Sequence, residues 1–209
     1  MRFKKEIIDA SKYLLQLQFN IGSEGNISYR EKNQIYITPS GIKTSNLKPK
    51  DISKVDLNGK VLNKNNPSSE ILLHSWIYRN NKDIKAVVHS HSKWASILSC
   101  MRINIPAFHY MVAEFGGSNI KCSRYATFGS EKLSKYVSKA LSNRRGCLIA
   151  NHGQVTIAND LEEAIDLSIA LEKLSEQYYF LKIAEKVRLL SETEMSKIVK
   201  LFKDYKVKH

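Results

Sequence analysis

The chain has 209 residues, which is enough for one sizeable hydrophobic core, and we expect one domain over residues 1–209. Its net charge of +13 comes from 33 basic and 20 acidic residues, but the basic residues are scattered, so we expect a phosphorylated anionic substrate and no nucleic-acid partner. No apolar stretch approaches the roughly 20 residues of a membrane span, and three cysteines without a Cys-X-X-Cys pair are typical of a reducing compartment, so we expect a cytoplasmic protein without a membrane partner.

The first part of the chain predicts one helix followed by two β-hairpins. Apolar residues recur at helical spacing over residues 6–19, which indicates an amphipathic helix. Residues 26–30 and 34–38 read as the two strands of a first hairpin. In residues 55–62, Asn58-Gly59 stands between alternating apolar residues, which is the strongest short-range signal for a second hairpin because both positions accept positive φ.

The rest of the chain predicts strands and helices in alternation. Ser68 and Ser69 are favourable N-cap residues for a helix that ends near residue 79. Asp160 with Glu163 resembles a capping box at the start of a long helix. Hairpins combined with helices predict an α/β fold: a single domain with a central, largely antiparallel sheet flanked by helices. The other predicted elements are strands at 84–90, 119–125, 147–151 and 154–158, and helices at 92–101, 130–141, 160–190 and 191–205.

Three histidines and one glutamate are the candidate metal ligands. Side chains alternate faces along a strand, so His89 and His91, at the end of the strand 84–90, point the same way. His152 follows a second apolar run and also stands at a strand end. Imidazole nitrogens with a carboxylate oxygen suit zinc, and three imidazoles leave a fourth position for substrate or for Glu70. This layout is typical of a catalytic metal site and not of a closed structural one.

The other histidines offer weaker alternatives. His74 lies four residues after Glu70, on the same helix face, and could compete as a ligand. His109 and His209 have no partner in the sequence, and we expect neither of them to bind metal. A lone His-X-His pattern is itself only a weak metal signal, so the prediction depends on the whole set.

Three short segments rich in glycine and hydroxyl residues predict an anion-binding cradle. Exposed backbone N–H groups at a turn or helix start bind anions, and the helix dipole adds roughly half a positive charge. One such segment alone is more often a plain turn or cap. However, Ser69 and Glu70 are adjacent, so a bound phosphate would lie close to a metal held by Glu70. The candidate residues are Gly25, Asn26, Ser40, Gly41, Ser68 and Ser69.

Seven short motifs, spread over nearly the whole chain, carry a resemblance to a known family. They are GNIS (25–28), TPSG (38–41), PSSE (67–70), AVVHSHS (86–92), IPAFHYM (105–111), YATFG (125–129) and NHG (151–153). In this number and order they resemble the class II aldolase/adducin family. The resemblance implies the three-layer fold of that family and one Zn²⁺ per subunit. It also implies that His89, His91 and His152 bind the zinc, with Glu70 as a further ligand when substrate is absent.

The resemblance also implies roles for residues that the spacing alone does not assign. The six cradle residues would hold a phosphate group. Tyr110 resembles a catalytic tyrosine that reaches into a neighbouring subunit, in a homotetramer with active sites between subunits. Phe128 and Tyr205 match aromatic positions near the aldehyde end of the site. The family has a histidine at the position of His74 that is not a ligand. Ser90, Ser92 and Gln154 depart from the residues of close relatives and are candidates for shaping the aldehyde pocket.

The implied activity is that of a lyase in carbohydrate metabolism. It would cleave a ketose 1-phosphate, L-fuculose 1-phosphate or a related deoxy-ketose 1-phosphate, to dihydroxyacetone phosphate and an aldehyde such as lactaldehyde. Three alternatives stay open at this point: a pentulose-5-phosphate 4-epimerase, a methylthioribulose-1-phosphate dehydratase, and a non-catalytic adducin-like assembly domain. The complete set of metal ligands argues against the last.

Overall fold

The central element is a six-stranded β-sheet in which every neighbouring pair of strands is antiparallel. The computed structural model describes residues 2–207, with side chains up to Asp204. The strand order is β3-β2-β1-β4-β6-β5. The predicted α/β fold with a largely antiparallel sheet is therefore confirmed. The strands are β1 (Asn26–Glu31), β2 (Gln34–Ile37), β3 (Ser53–Asp56), β4 (Ala86–Ser90), β5 (Gly146–Ile149) and β6 (Gly153–Ala158).

Helices cover both faces of the sheet and produce two hydrophobic cores. The first core packs α1, α3 and α5 against one face, and the second packs α2 and α4 against the other. Alternation along β4 serves both, because Val88 enters the first core and Val87 the second. No helix in the described part of the chain is long and apolar enough to cross a membrane. The helices are α1 (Arg2–Gln16), α2 (Ile71–Asn80), α3 (Lys93–Cys100), α4 (Glu131–Ala140), α5 (Leu161–Ile183) and α6 (Glu192–Val207), with 3₁₀ turns at Thr44–Asn46 and Tyr110–Phe115.

The two predicted hairpins have different outcomes. The first forms as expected, from β1 and β2. In the second, the Asn58-Gly59 turn closes, since the N–H of Asp56 donates to the carbonyl of Lys60 at 2.9 Å. The returning segment makes only one isolated bridge, between Val55 and Val61, and adds no strand to the sheet. The edge strand β3 pairs instead with β2.

One other predicted strand does not form, and two predicted helix boundaries are wrong. Residues 119–125 form no strand and make only isolated bridges, from Ile120 to Ile105 and from Cys122 to Leu148. The helix predicted from Ser68 and Ser69 begins at Ile71. The long helix ends at Ile183, short of residue 190. A left-handed residue follows it, Glu185 with φ of 54°, which turns the chain away from the helix axis.

The three central strands set the geometry of the candidate site. In the register of the sheet, Asn26 of β1 lies opposite His89 of β4, and His89 lies opposite Val155 of β6. His152 directly precedes β6, so it reaches the same end of the sheet. Gly153 is required there, because a Cβ at this position would overlap the carbonyl oxygen of Ser90. The sheet register thus brings together groups that lie more than a hundred residues apart.

Candidate metal centre

Four side chains converge at the end of β4. The Nε2 atom of His89 lies 3.1 Å from Nε2 of His91 and 2.9 Å from Oε2 of Glu70. Nε2 of His152 lies 3.8 Å from the same Glu70 oxygen. In a tetrahedral zinc site with Zn–N distances of roughly 2.0–2.1 Å, neighbouring ligand atoms stand about 3.3 Å apart. The observed separations surround that value, so the four groups fit around one divalent ion.

Hydrogen bonds from outside the cluster hold His89, in β4, and His91, just after it, in position. Nδ1 of His89, which is fully buried, donates to the carbonyl oxygen of Gln154 at 2.7 Å. This bond fixes the ring and leaves Nε2 directed at the cluster, an arrangement that usually supports a metal-bound histidine. The backbone N–H of His91 donates to Oδ1 of Asn20 at 3.0 Å. Groups of the protein itself therefore hold both residues in place.

The three residues expected to shape the aldehyde pocket face away from it. Ser90 is fully buried, with Oγ 3.4 Å from Oγ of Ser168 on α5. Gln154 donates from Nε2 to Oγ of Ser92 at 2.7 Å and to the carbonyl of Ser168 at 3.1 Å. Ser92 in turn donates to Oε2 of Glu172 at 2.6 Å. These polar groups join the sheet to α5, so that part of the prediction is wrong.

The charge states of the four groups suit metal binding. Burial opposes ionisation of Glu70, but the charge and hydrogen bond of His89, then the charge of His152 and the hydrogen bond from Asn26, hold its pKa well below the usual range. Burial, followed by the charge of His89, lowers the pKa of both His91 and His152 to about 4. Burial also works against protonation of His89, but Glu70 outweighs it and raises that pKa. Near neutral pH the cluster therefore offers a carboxylate and two neutral imidazoles, and binding of a cation requires Nε2 of His89 to carry no proton.

The carboxylate of Glu70 has one committed oxygen and one free oxygen. Oε2 contacts the imidazole of His89 and accepts from Nδ2 of Asn26 at 3.3 Å. Oε1 is buried and has no hydrogen-bond partner among the described residues. A buried carboxylate oxygen without a partner is costly, and a metal ion or a substrate proton would relieve that cost. Three imidazoles with this carboxylate fit Zn²⁺ and also accept other divalent ions such as cobalt or manganese.

His74 does not belong to the cluster. Its Nδ1 lies 2.6 Å from Oγ of Ser28 and its Nε2 lies 2.6 Å from Oδ1 of Asn26. Both ring nitrogens are therefore engaged away from the metal ligands, and His74 is not a competing ligand.

A cavity of about 480 Å³ lies against the cluster. It contains all six residues of the predicted anion cradle, together with Glu70, His91 and His152. No lysine or arginine among the described residues lines it, so these residues would bind an anion through backbone N–H groups, hydroxyls and an amide. The N-terminal end of α2 points here, because Glu70 is its N-cap residue and Ser68 and Ser69 precede it. The cradle residues are Gly25, Asn26, Ser40, Gly41, Ser68 and Ser69.

The predicted aromatic residues are divided between this cavity and other places. Phe128 lines the cavity. Tyr110 does not; it lies in the 3₁₀ turn Tyr110–Phe115 with 52% of its surface exposed. His109, for which no metal role was expected, caps that turn by accepting from the N–H of Met111 at 3.1 Å. The side chain of Tyr205 lies outside the described residues.

Several cavity residues were not predicted. Tyr125 and Asn151 line the cavity. They stand at the first positions of the motifs YATFG and NHG, and these motifs are the sequence feature that could have indicated them. Glu24 also lines the cavity, and its Oε2 lies 3.8 Å from Nδ1 of His91. The carbonyl oxygen of Gln154, which holds the ring of His89, is a backbone group, and a pattern of side chains in the sequence cannot predict its role.

Comparisons with known proteins agree with this geometry. Residues 5–179 match the family model described as the Class II Aldolase and Adducin N-terminal domain. The chain is 40% identical over 200 residues to a 5-methylthioribulose-1-phosphate/5-deoxyribulose-1-phosphate aldolase of Rhodospirillum rubrum, covering 95% of this chain and 90% of that protein. It is 37% identical over 205 residues to the L-fuculose phosphate aldolase of Escherichia coli strain K12, covering 98% and 95%. The solved structure of an L-fuculose 1-phosphate aldolase superposes with a TM-score of 0.93 at 34% identity, covering 97% of this chain and 96% of that one.

Proposed function

The chain belongs to the class II aldolase and adducin family and is a lyase of the aldolase type, and we propose that it reversibly cleaves a ketose 1-phosphate to dihydroxyacetone phosphate and an aldehyde. The observation that carries this proposal is the cluster of His89, His91, His152 and Glu70 beside a cavity. Glu70, His91 and His152 line that cavity, and its other walls form an anion cradle. In the proposal the three histidines, with Glu70, hold one Zn²⁺ per subunit, and the cradle holds the phosphate group of the substrate.

The proposed chemistry divides proton transfer between two residues. When bound, the divalent ion supplies Lewis-acid stabilisation for the negative charge that develops on the substrate's carbonyl oxygen. In cleavage the C4 hydroxyl loses its proton, the C3–C4 bond breaks, and C3 gains a proton, so no net proton is consumed. Oε1 of Glu70, the oxygen without a partner among the described residues, delivers the proton to C3 and removes it in condensation. Tyr110 exchanges the proton of the C4 oxygen.

We infer that Tyr110 acts on the site of a neighbouring subunit in a homotetramer. Its exposure and its place outside the cavity of its own chain support this role. We expect Tyr110→Phe to lower kcat about 10²-fold or more while the affinity for inorganic phosphate stays within twofold, because only the phenolic proton is lost. Steady-state kinetics and calorimetry measure the two quantities, and Tyr13→Phe, at another exposed tyrosine, is the control.

A mixing experiment tests the shared site directly. Oligomers assembled from Tyr110→Phe subunits and Glu70→Gln subunits contain some sites with both native residues if the sites lie between subunits. We expect such mixtures to regain activity that neither variant has alone. Mixtures without regained activity would place Tyr110 outside the reaction of a neighbouring subunit.

For the substrate we propose a deoxy-ketose 1-phosphate, either L-fuculose 1-phosphate or a 5-deoxy or 5-methylthio ribulose 1-phosphate. Tyr125, Ala126 and Phe128 give part of the cavity an apolar lining, and a methyl or methylthio end gives up no hydrogen bonds to water when it is buried there. A terminal hydroxyl would have to be desolvated without a partner, which costs free energy. The names of the relatives from Rhodospirillum rubrum and Escherichia coli support the same class.

A panel of ketose 1-phosphates with coupled detection of dihydroxyacetone phosphate tests the function. We expect one of the three deoxy compounds to have the highest kcat/KM. Ribulose 1-phosphate is the matched control, because it differs from 5-deoxyribulose 1-phosphate by one hydroxyl. We expect its kcat/KM to be lower than that of 5-deoxyribulose 1-phosphate by a factor of about ten or more. Release of no dihydroxyacetone phosphate from any member would refute the proposed reaction, since an epimerase releases none.

A further inference from the structure

A buried row of hydrogen bonds, which the mechanism above does not use, ends at Glu70. From the interior outward, Oγ of Ser28 lies 2.6 Å from Nδ1 of His74, and Nε2 of His74 lies 2.6 Å from Oδ1 of Asn26. Nδ2 of Asn26 then donates to Oε2 of Glu70 at 3.3 Å. His74 and Ser28 are completely buried. The row therefore connects Ser28 and His74, which do not line the cavity, with Asn26 and Glu70, which do.

The donor at each step follows from the carboxylate at the end of the row. A carboxylate only accepts hydrogen bonds, so Asn26 must turn its NH₂ group to Glu70 and its Oδ1 to His74. His74 must then donate from Nε2, which leaves Nδ1 as the acceptor for the hydroxyl of Ser28. The ring is neutral, because burial, followed by the charge of His89, lowers the pKa of His74 to about 3. The carboxylate of Glu70 on one side and the Nε2–H of His74 on the other thus favour the same orientation of the Asn26 amide.

We propose that His74 is a positioning residue that sets the orientation of the Asn26 amide, so that one N–H of this amide holds Glu70 and the other faces the cavity as an anion donor. The identification of that anion as the substrate's phosphate rests on the proposed function. If the amide were reversed, its carbonyl oxygen would face both the carboxylate and the anion. His74 therefore affects anion affinity without touching the anion.

Paired variants separate this role from a general contribution to stability. His74→Phe keeps the ring volume but removes the donor to Asn26. Tyr78→Phe is the matched control on the same helix: Tyr78 is equally buried, and its hydroxyl lies 2.8 Å from Oγ of Ser28 and 3.0 and 3.2 Å from the carbonyl oxygens of Ser28 and Lys85. This variant disturbs the interior end of the row but leaves the donor from His74 to Asn26 in place. We expect both variants to unfold at lower temperature, since each leaves buried polar groups unpaired.

The distinguishing measurement is calorimetric binding of inorganic phosphate to the zinc-loaded protein. We expect His74→Phe to bind phosphate about ten- to a hundredfold more weakly, and Tyr78→Phe to stay within twofold of the native affinity. His74→Gln keeps an N–H donor and should recover part of the loss. Equal phosphate affinity in His74→Phe and the native protein would overturn the proposal, as would equal losses in His74→Phe and Tyr78→Phe.

The tautomer itself can be observed without substrate. In ¹⁵N-histidine-labelled protein, the resonances that His74→Gln removes should show a protonated Nε2, an unprotonated Nδ1 and no titration between pH 5 and 8. A protonated Nδ1 with a free Nε2 would overturn the proposal. Both measurements keep their meaning if the panel of sugar phosphates yields no product, in which case the proposed reaction fails and the role of His74 is decided separately.

Discussion

Glu70→Gln is expected to retain stoichiometric metal and to lose turnover by about 10²–10⁴-fold, the usual contribution of a general acid–base group. The amide has nearly the same shape, and the three imidazoles that surround the metal position are unchanged. What is lost is the basic oxygen, Oε1, which has no partner among the described residues and is free to carry the proton of C3. Metal analysis and kcat, measured on the same preparation, test both halves of the expectation.

Proton exchange isolates the step assigned to Glu70. Incubation of dihydroxyacetone phosphate with enzyme in D₂O, without aldehyde, should exchange one C3 proton in the native protein and almost none in Glu70→Gln. Glu131→Gln is the control, because Glu131 is a carboxylate in the first turn of α4 that does not line the cavity, and its exchange rate should stay within a few fold of native. Full turnover and exchange in Glu70→Gln would remove this residue from the mechanism.

The parts of the site that could be predicted are those set by local geometry. The period of two in a strand is enough to place His89 and His91 on one face, and the structure shows their Nε2 atoms 3.1 Å apart. Glycine and hydroxyl residues at turns predict an anion cradle, and all six predicted residues line the cavity. The convergence of His152 on the same point depends on the pairing of β4 with β6, which no local pattern specifies.

The predictions that failed concern features that depend on partners far away in the sequence. The segment 119–125 has strand-like residues, but its backbone partners are spread over two different parts of the fold, Ile105 and Leu148, so no regular ladder forms. The sequence does not indicate the hydrogen bonds of His74, because its partners, Ser28 and Asn26, lie 46 and 48 residues away. Long-range hydrogen bonds of this kind leave no periodic trace in a sequence.

His91→Ala should abolish metal binding while leaving the fold intact. His91 lies just beyond the end of β4, with 29% of its side chain exposed, so its removal leaves no large cavity in either core. Loss of a hydrogen-bond partner of a metal ligand typically weakens metal affinity about 10- to 100-fold, and loss of a ligand itself should weaken it more. After dialysis we expect far less than one zinc per chain, and activity should fall in parallel.

A second histidine supplies the control. His109→Ala removes an imidazole that caps the turn Tyr110–Phe115 and lies outside the cluster, so it should retain one zinc per chain despite some loss of stability. Circular dichroism of both variants separates metal loss from unfolding. Stoichiometric zinc in folded His91→Ala would contradict the ligand assignment. Because two imidazoles and a carboxylate would remain in that variant, the result also measures how far the third imidazole determines whether this site holds its ion.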